Sequence, residues 1–316
     1  MYIFIPSYPS IYFAIYKALN NKDVTIITNN RNVAKILKEI KINFLLMDFE
    51  FDIKKIMSTK IKINDFFLTL DKTKDFYLLD NIFCVEGFYL ANRWPKGKVY
   101  YKNLSAEFNF FEGKLSFKSK VLKYLYKMVF NLKLSFRNVN GKPVAAIDQK
   151  FIKKNEFNIL ELESYKSIKL DVLKKIKLKT NSYNSIFVLQ GDMKNILKET
   201  SLSKIFKELK IIQSLVLKEH PKHKTTVFFN ELPKLPNYYP VEMCYGNINK
   251  NIIAIYSLSL VLASEFTHLK AISLLEMVSW YSDEYKNHMK NELIAKSENK
   301  IFFPTNSNEL LKLLNS

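Results

Sequence analysis

The sequence predicts an α/β protein made of two successive doubly wound domains. Short apolar runs alternate with runs of helical spacing, which argues for a parallel sheet joined by crossover helices. The alternation breaks at a polar stretch, Asn181-Ser182-Tyr183-Asn184, and then restarts. A chain of 316 residues matches two domains at about 150 residues each. The expected division is therefore 1–180 and 181–316.

The first domain opens with an apolar strand over 2–5, followed by a helix over 11–19 whose apolar residues recur at helical spacing. A strand over 24–27, a helix over 33–40 and a strand over 43–47 continue the rhythm. The turn between the first strand and helix, Pro6-Ser7-Tyr8-Pro9-Ser10, contains no Gly-x-Gly, so no dinucleotide fingerprint is present. Residues 98–101 and 107–111 read as strands, and 118–132 as a long helix that mixes lysines with apolar residues. Asn140-Gly141-Lys142-Pro143 is a turn. Residues 155–180 are charged and mostly helical.

The second domain repeats the pattern. Strands are expected over 185–189, 214–218, 225–229 and 252–256, with late strands over 270–274 and 300–303. Helices are expected over 203–209, 241–245, 260–266 and 307–314. No internal repeat or low-complexity tail interrupts them.

Composition narrows the class. Hydrophobic residues make up 48% of the chain and aromatics 14%, enough for real cores. The two cysteines, Cys84 and Cys244, have neither metal-ligand spacing nor a disulfide framework, which fits a reducing cytosol. Met1-Tyr2-Ile3-Phe4-Ile5-Pro6 lacks a charged leader and reads as a first strand. The longest nearly apolar run, 252–266, falls short of the ~20 residues that span a bilayer and is interrupted by serines.

The formal charge of +19 comes almost wholly from lysine. Of 49 basic residues only Arg31, Arg93 and Arg137 are arginines. Sequence-reading nucleic-acid proteins use the bidentate fork of arginine, and no recognition motif of that class is present. Lysines at this density fit an anionic membrane surface or plain solvation, and codon bias in an Asn- and Ile-rich chain contributes to the excess.

Chemistry-bearing residues fall at strand ends. Ser214-Leu215-Val216-Leu217-Lys218-Glu219-His220-Pro221 is a strand that runs into a His-Pro pair. The proline stops ladder pairing just past the strand's carboxyl end, the rim where open α/β sheets bind ligands. Lys218 and His220 are two apart, on one strand face, and make a cationic pair suited to a phosphate. Glu112 follows the apolar residues Phe108-Asn109-Phe110-Phe111 and precedes Gly113, whose missing side chain permits a sharp turn and close approach. Gln190-Gly191 ends the first strand of the second domain, where glycine serves a βα turn or contact with a flat ligand. Glu242, after Tyr239-Pro240-Val241, can accept from both ribose hydroxyls or simply complement a helix start. Ser257-Leu258-Ser259 precedes a helix and can cap it or hold a phosphate.

In this order and on these strand ends, the set resembles the bacterial sialyltransferases with two Rossmann-like domains. The likeness is to the lipooligosaccharide branch, glycosyltransferase family 52, and its polysialyltransferase relatives. Those enzymes carry an acidic-acidic-Gly motif in the first half. In the second half come Lys-x-His-Pro, a Glu some twenty residues on, and a Ser-Ser/Thr pair after a strand. The resemblance runs over about residues 108–262. It implies a GT-B fold, two Rossmann-like domains facing a central cleft, with the acceptor and general base on the first and the CMP-sugar donor on the second.

Residue by residue, the resemblance implies Glu112 as general base, set by the turn at Gly113. It makes His220, before Pro221, the general acid or leaving-phosphate binder. Lys218 and Gly191 would contact the cytidine monophosphate, Glu242 the ribose and Ser257 the phosphate. Phe111 stands where the family has its first acid. Leu258 stands where the second residue of the serine pair belongs, which leaves Ser259 to substitute. The implied reaction is inverting and metal-independent and needs no cofactor. It moves sialic acid from CMP-sialic acid to a hydroxyl of a lipid-linked or capsular glycan. No Asp-x-Asp triplet or His/Cys cluster argues for a divalent ion. The expected location is cytoplasmic, peripheral to the anionic inner face of the cytoplasmic membrane, with no nucleic-acid partner. Another nonulosonate transferase, such as a Kdo transferase, is the alternative enzyme. A non-catalytic basic membrane- or nucleic-acid-binding protein is the alternative of another class.

Overall fold

The computed structural model describes residues 1–48, 56–79, 85–102, 104, 117–132, 135–139, 142–146, 149–161, 164–176, 178, 181–189, 205, 207, 209–210, 212, 214–219 and 231–315. The chain divides into two compact units, Met1–Val172 and Leu173–Ser316.

In chain order the first unit runs β1 (Tyr2–Phe4), α1 (Ile11–Asn20), β2 (Thr25–Thr28), α2 (Arg31–Glu39) and β3 (Phe44–Leu46). It continues with α3 (Ile56–Thr69), β4 (Phe76–Leu78), α4 (Val85–Arg93), β5 (Val99–Tyr101) and α5 (Phe117–Phe130). A hairpin of β6 (Ser135–Val139) and β7 (Lys142–Ala146) follows, then α6 (Gln149–Lys154), β8 (Asn158–Ile159) and α7 (Tyr165–Lys175). Six strands form one sheet in the order β3-β2-β1-β4-β5-β8, and all its pairings are parallel. The chain winds outward from β1 to β3, then returns to β4 beside β1 and winds the other way, which is the doubly wound order.

Local chemistry fixes these elements. Asn30 caps α2, its side chain accepting from the amides of Asn32 at 2.9 Å and Val33 at 3.3 Å. Thr28 donates its hydroxyl to the Ile5 carbonyl at 2.7 Å and so ties β2 to the end of β1. Trp94 packs on Phe76, Phe67 and Tyr2 under the sheet.

The second unit contains β9 (Tyr183–Val188), β10 (Leu215–Lys218), a 3-10 helix (Val241–Asn247), β11 (Ile248–Ala254) and α8 (Ser259–Ala263). After them come β12 (Lys270–Ser273), a 3-10 turn (Leu274–Met277), α9 (Asp283–Ser297) and α10 (Ser307–Asn315). Its four-stranded parallel sheet has the order β10-β9-β11-β12. The chain therefore steps from β9 to one side and then crosses to the other. Its core gathers Phe187, Leu217, Ile253 and Ile272 from the strands with Trp280, Met289 and Leu310 from the later segments. The molecule is thus two Rossmann-like, doubly wound α/β units in series.

Several expectations need correction. The charged segment after 155 is not helical at its start, because Asn158–Ile159 pairs with β5 as the sixth strand. Phe157 is buried there, and the Asn158 side chain donates to the Gly97 carbonyl at 2.7 Å. Residues 300–303 contribute only a one-residue bridge, Ile272 with Phe302, because Pro304 cannot extend a ladder. The strand expected over 252–256 begins four residues earlier, at Ile248, and ends at Ala254. The helix expected over 260–266 is the short α8. The strands expected over 107–111 and 225–229 lie outside the described residues.

Candidate nucleotide-phosphate site

The site is built at the carboxyl rim of the second sheet, where the strand order changes direction. Lys218 is level with Val188 across β10 and β9, and Val188 is level with Ala254 across β9 and β11. Ligands of open α/β sheets bind at this place because strand ends and loop amides converge there. A cavity of about 470 Å³ opens on it, lined by Val188 at the end of β9 and Leu189 after it, Lys218 at the end of β10 and Glu219 after it, the stretch from Tyr239 to Glu242, and the stretch from Tyr256 to Ser259.

Lys218 is the last residue of β10 and is buried. Its ammonium donates to the Glu219 carbonyl at 2.8 Å. Burial lowers its pKa below the ordinary 10.5, while Cys244, Glu219 and Glu242 pull it back up. Glu219 is itself engaged by Lys234 at 2.8 Å. The chain around Lys234 lies along β10: the Leu217 amide donates to Pro233 at 2.8 Å and the Leu235 amide to Leu217 at 2.9 Å.

Glu242 sits in the first turn of the 3-10 helix, directly after Pro240 and Val241. Proline fixes the entry angle, and the Met243 amide closes the turn on the Pro240 carbonyl at 3.1 Å. Beneath it Cys244 and Tyr245 are fully buried. The Tyr245 hydroxyl donates to the Ser259 carbonyl at 2.6 Å and so locks this helix to the serine loop. Burial raises the Tyr245 pKa, so it stays a neutral donor.

The serine loop leaves β11 through Ile255, whose carbonyl accepts from the Ser273 hydroxyl at 2.7 Å. Tyr256 lines the cavity and its hydroxyl donates to Glu292 of α9, which Lys296 also holds. Ser257 and Ser259 then stand with their hydroxyl oxygens 2.7 Å apart, and the Ser259 amide points at the Ser257 hydroxyl at 3.3 Å. Leu258 between them turns outward and is half exposed.

Of the residues singled out from the sequence, the structure brings Lys218, Glu242, Ser257 and Ser259 to one cavity. Glu112, Gly113, Gly191, His220 and Pro221 lie outside the described residues. Tyr256 escaped the sequence reading although it directly precedes the serines. Tyr239, buried against Tyr238, was read only as a neighbour of Glu242. The sequence reading also passed over Glu86, in the first turn of α4. Among the described residues Glu86 and Lys218 are the buried charged side chains, one in each unit. Burial raises the Glu86 pKa, and bonds from its own backbone and the Asn29 side chain offset part of that rise. No three His, Cys, Asp or Glu side chains gather as a metal set among the described residues.

A cationic group, a carboxylate and two hydroxyls around an apolar-walled cavity can hold a sugar–phosphate. The ammonium and hydroxyls suit phosphate oxygens, and the carboxylate suits a diol.

No family model matches the chain, and no curated protein matches it. Among solved structures it is similar to a UDP-N-acetylglucosamine 2-epimerase from Listeria monocytogenes, described as putative, at 11% identity and a TM-score of 0.46, covering 100% of this chain and 87% of that one. It is similar to a glycosyltransferase from Rickettsia africae at 9% identity and a TM-score of 0.39, covering 99% and 97%. It is also similar to the ADP-heptose lipopolysaccharide heptosyltransferase II of E. coli at 11% identity and a TM-score of 0.37, covering 86% and 84%. Likenesses this distant assign no activity to this chain.

Proposed function

We propose that this chain is an inverting glycosyltransferase of the GT-B type that moves sialic acid from CMP-sialic acid to a glycan hydroxyl, without a metal or cofactor. The observation that carries the reading is the convergence of Lys218, Glu242, Ser257 and Ser259 on one cavity at the carboxyl rim of the second sheet. They come from three separate stretches of the chain, around 218, 242 and 257–259, and the resemblance to the two-domain sialyltransferases assigns Lys218, Glu242 and Ser257 to one nucleotide, with Ser259 as the substitute second serine.

In this reading Glu242 accepts from the two ribose hydroxyls, and Gly191 lets the backbone approach the base. Lys218 and Ser257 take the phosphate oxygens, with Ser259 holding the Ser257 hydroxyl in place. Transfer breaks the bond between the sugar's anomeric carbon and phosphate oxygen, and the electron pair leaves with CMP. The growing negative charge falls on the oxygens that the Lys218 ammonium and the Ser257 hydroxyl hold, with His220 donating to the same group. Glu112 removes the proton from the acceptor hydroxyl as its oxygen attacks, since an alcohol is a poor nucleophile until that proton is leaving.

Two measurements test this. Millimolar CMP is expected to raise the unfolding temperature, and donor hydrolysis is expected with CMP-Neu5Ac. Hydrolysis of CMP-Kdo alone would reassign the sugar. Indifference to CMP and to both donors would reject the nucleotide site itself.

A further inference from the structure

We propose that helices α3 and α5 of the first unit form a face that docks on an anionic lipid surface. Of the twelve large apolar side chains exposed among the described residues, six are on these two helices. On α3 they are Met57, Ile61 and Leu68, and on α5 Val121, Tyr124 and Met128. The spacings are i, i+4, i+11 and i, i+3, i+7. At about 100° per residue, each trio therefore falls within a narrow stripe along its helix.

The opposite stripes are already used. Ile63 and Phe67 of α3 and Tyr126 and Phe130 of α5 are buried in the same core cluster, and the two helices pack on each other. A surface helix needs one apolar stripe to join its core, and each of these carries a second that faces out.

Charge decides what would cover that stripe. The sequence from Lys114 to Lys133 holds six lysines and no acidic residue. Lys120 and Lys127 are exposed on α5, beside its stripe. On α3, Lys62 is exposed and Lys60 partly so, against the single exposed acid Asp65. Apolar side chains ringed by lysines match an anionic bilayer, where acyl chains take up the stripe and headgroup phosphates meet the ammoniums. Tyr124 suits the headgroup level, with an apolar ring and a polar tip. A second copy of this chain would bring the same lysines against these, like charge on like. Among the described residues no helix is long and apolar enough to cross a membrane, so this face would lie on the surface. The inference stands on the helix surfaces alone and is independent of the nucleotide reading.

Binding to vesicles of phosphatidylcholine with and without phosphatidylglycerol tests it, with no need for activity. The full chain is expected to sediment with the anionic vesicles, and the triple variant Ile61→Ser, Leu68→Ser, Met128→Ser to bind at least about tenfold more weakly. Circular dichroism and the unfolding temperature should be unchanged by those exposed substitutions. In a separate Tyr124→Trp variant, which leaves the stripe apolar, indole emission should shift to the blue on anionic vesicles. Wild-type vesicle binding by the triple variant would overturn the proposal. So would an unshifted indole emission from the Tyr124→Trp variant, or light scattering that finds a wild-type dimer dissociated by the triple variant.

Discussion

The hydroxyl oxygens of Ser257 and Ser259 stand 2.7 Å apart across the outward-turned Leu258. One of them must donate to the other, so the pair has one proton left to offer a ligand. Ser259 is buried and Ser257 is partly open, so Ser257 makes the outward bond and Ser259 orients it. A hydrogen bond to a charged oxygen contributes about 1.5–3 kcal/mol, equivalent to tenfold or more in affinity. Calorimetry should find Ser257→Ala weakening CMP by about that factor and Ser259→Ala by less. The double variant should be little worse than Ser257→Ala, because coupled neighbours are not additive. Fully additive losses would mean the two hydroxyls act separately.

Lys218 makes an opposing pair of effects measurable. Its buried ammonium is a burden to the empty protein, because taking a charge out of water is costly and one carbonyl bond repays it only in part. Lys218→Met should therefore raise the unfolding temperature of the free protein and abolish the stabilisation that CMP gives. The pKa is lowered in the fold, so the burden is full below the folded pKa and lifts as pH rises toward 10.5. The advantage of the variant should shrink over that alkaline range. CMP affinity of the wild type should fall there, before an ordinary lysine would lose its proton. A variant that still responds to CMP would remove Lys218 from the phosphate contact.

Glu242 and Glu112 should separate binding from chemistry. Glu242→Ala removes a contact present before and during reaction, so donor affinity should drop roughly tenfold while turnover at saturation holds. Glu112→Gln keeps size and loses basicity, so transfer should fall by about 10²–10⁴-fold while CMP still binds. Turnover by Glu112→Gln within a few-fold of wild type would place the base elsewhere, with Glu107 the next to test.

Glu86 gives a stability test in the first unit. Its carboxyl pKa is raised above 4.5 by burial. Between 4.5 and the folded value the native state holds a proton that the unfolded chain has lost, so stability falls as pH rises through that window. Glu86→Gln should raise the unfolding temperature at neutral pH, by about 2–4 °C for each kcal/mol recovered. The gain should vanish below pH 4. A variant less stable than wild type at pH 8 would show that the charged carboxylate is needed where it sits.

Most of the parallel strands were legible because they are short apolar runs between helical stretches, as in Tyr2–Phe4 and Leu215–Lys218, whereas the three-residue β4 (Phe76–Leu78) passed unread. Two of the cavity-lining residues were legible for a related reason: Lys218 and Ser257 stand at or just past strand ends, where the α/β pattern puts ligands. What was missed lacks that contrast. The helix α3 alternates lysines with apolar residues and exposes Met57, Ile61 and Leu68, so its apolar positions do not mark a single face. The helix α9 is mostly charged and amide side chains. Its one clear sign is the Ser282 cap, whose hydroxyl accepts from the Tyr285 amide at 3.2 Å. Strand β8 is two residues long, and Asn158 in it is a poor strand former. Tyr256 was overlooked because its role comes from Glu292, an acid 36 residues away in the chain.

Among the described residues, each margin of the second sheet carries a one-residue bridge from a stretch that is not itself a strand. Lys234 bridges to Leu217 along β10, and Phe302 bridges to Ile272 along β12. The Phe302 amide donates to Ala271 at 2.9 Å, and the Ser273 amide to Phe302 at 2.8 Å. An open strand edge is a template on which another chain can add, the first step toward aggregates. Here each template is partly occupied from within, one by a lysine and the other by a residue two short of Pro304. The bordering strands of the first sheet, β3 and β8, are only three and two residues long. These short or bridged margins leave few free backbone groups in line for an added strand.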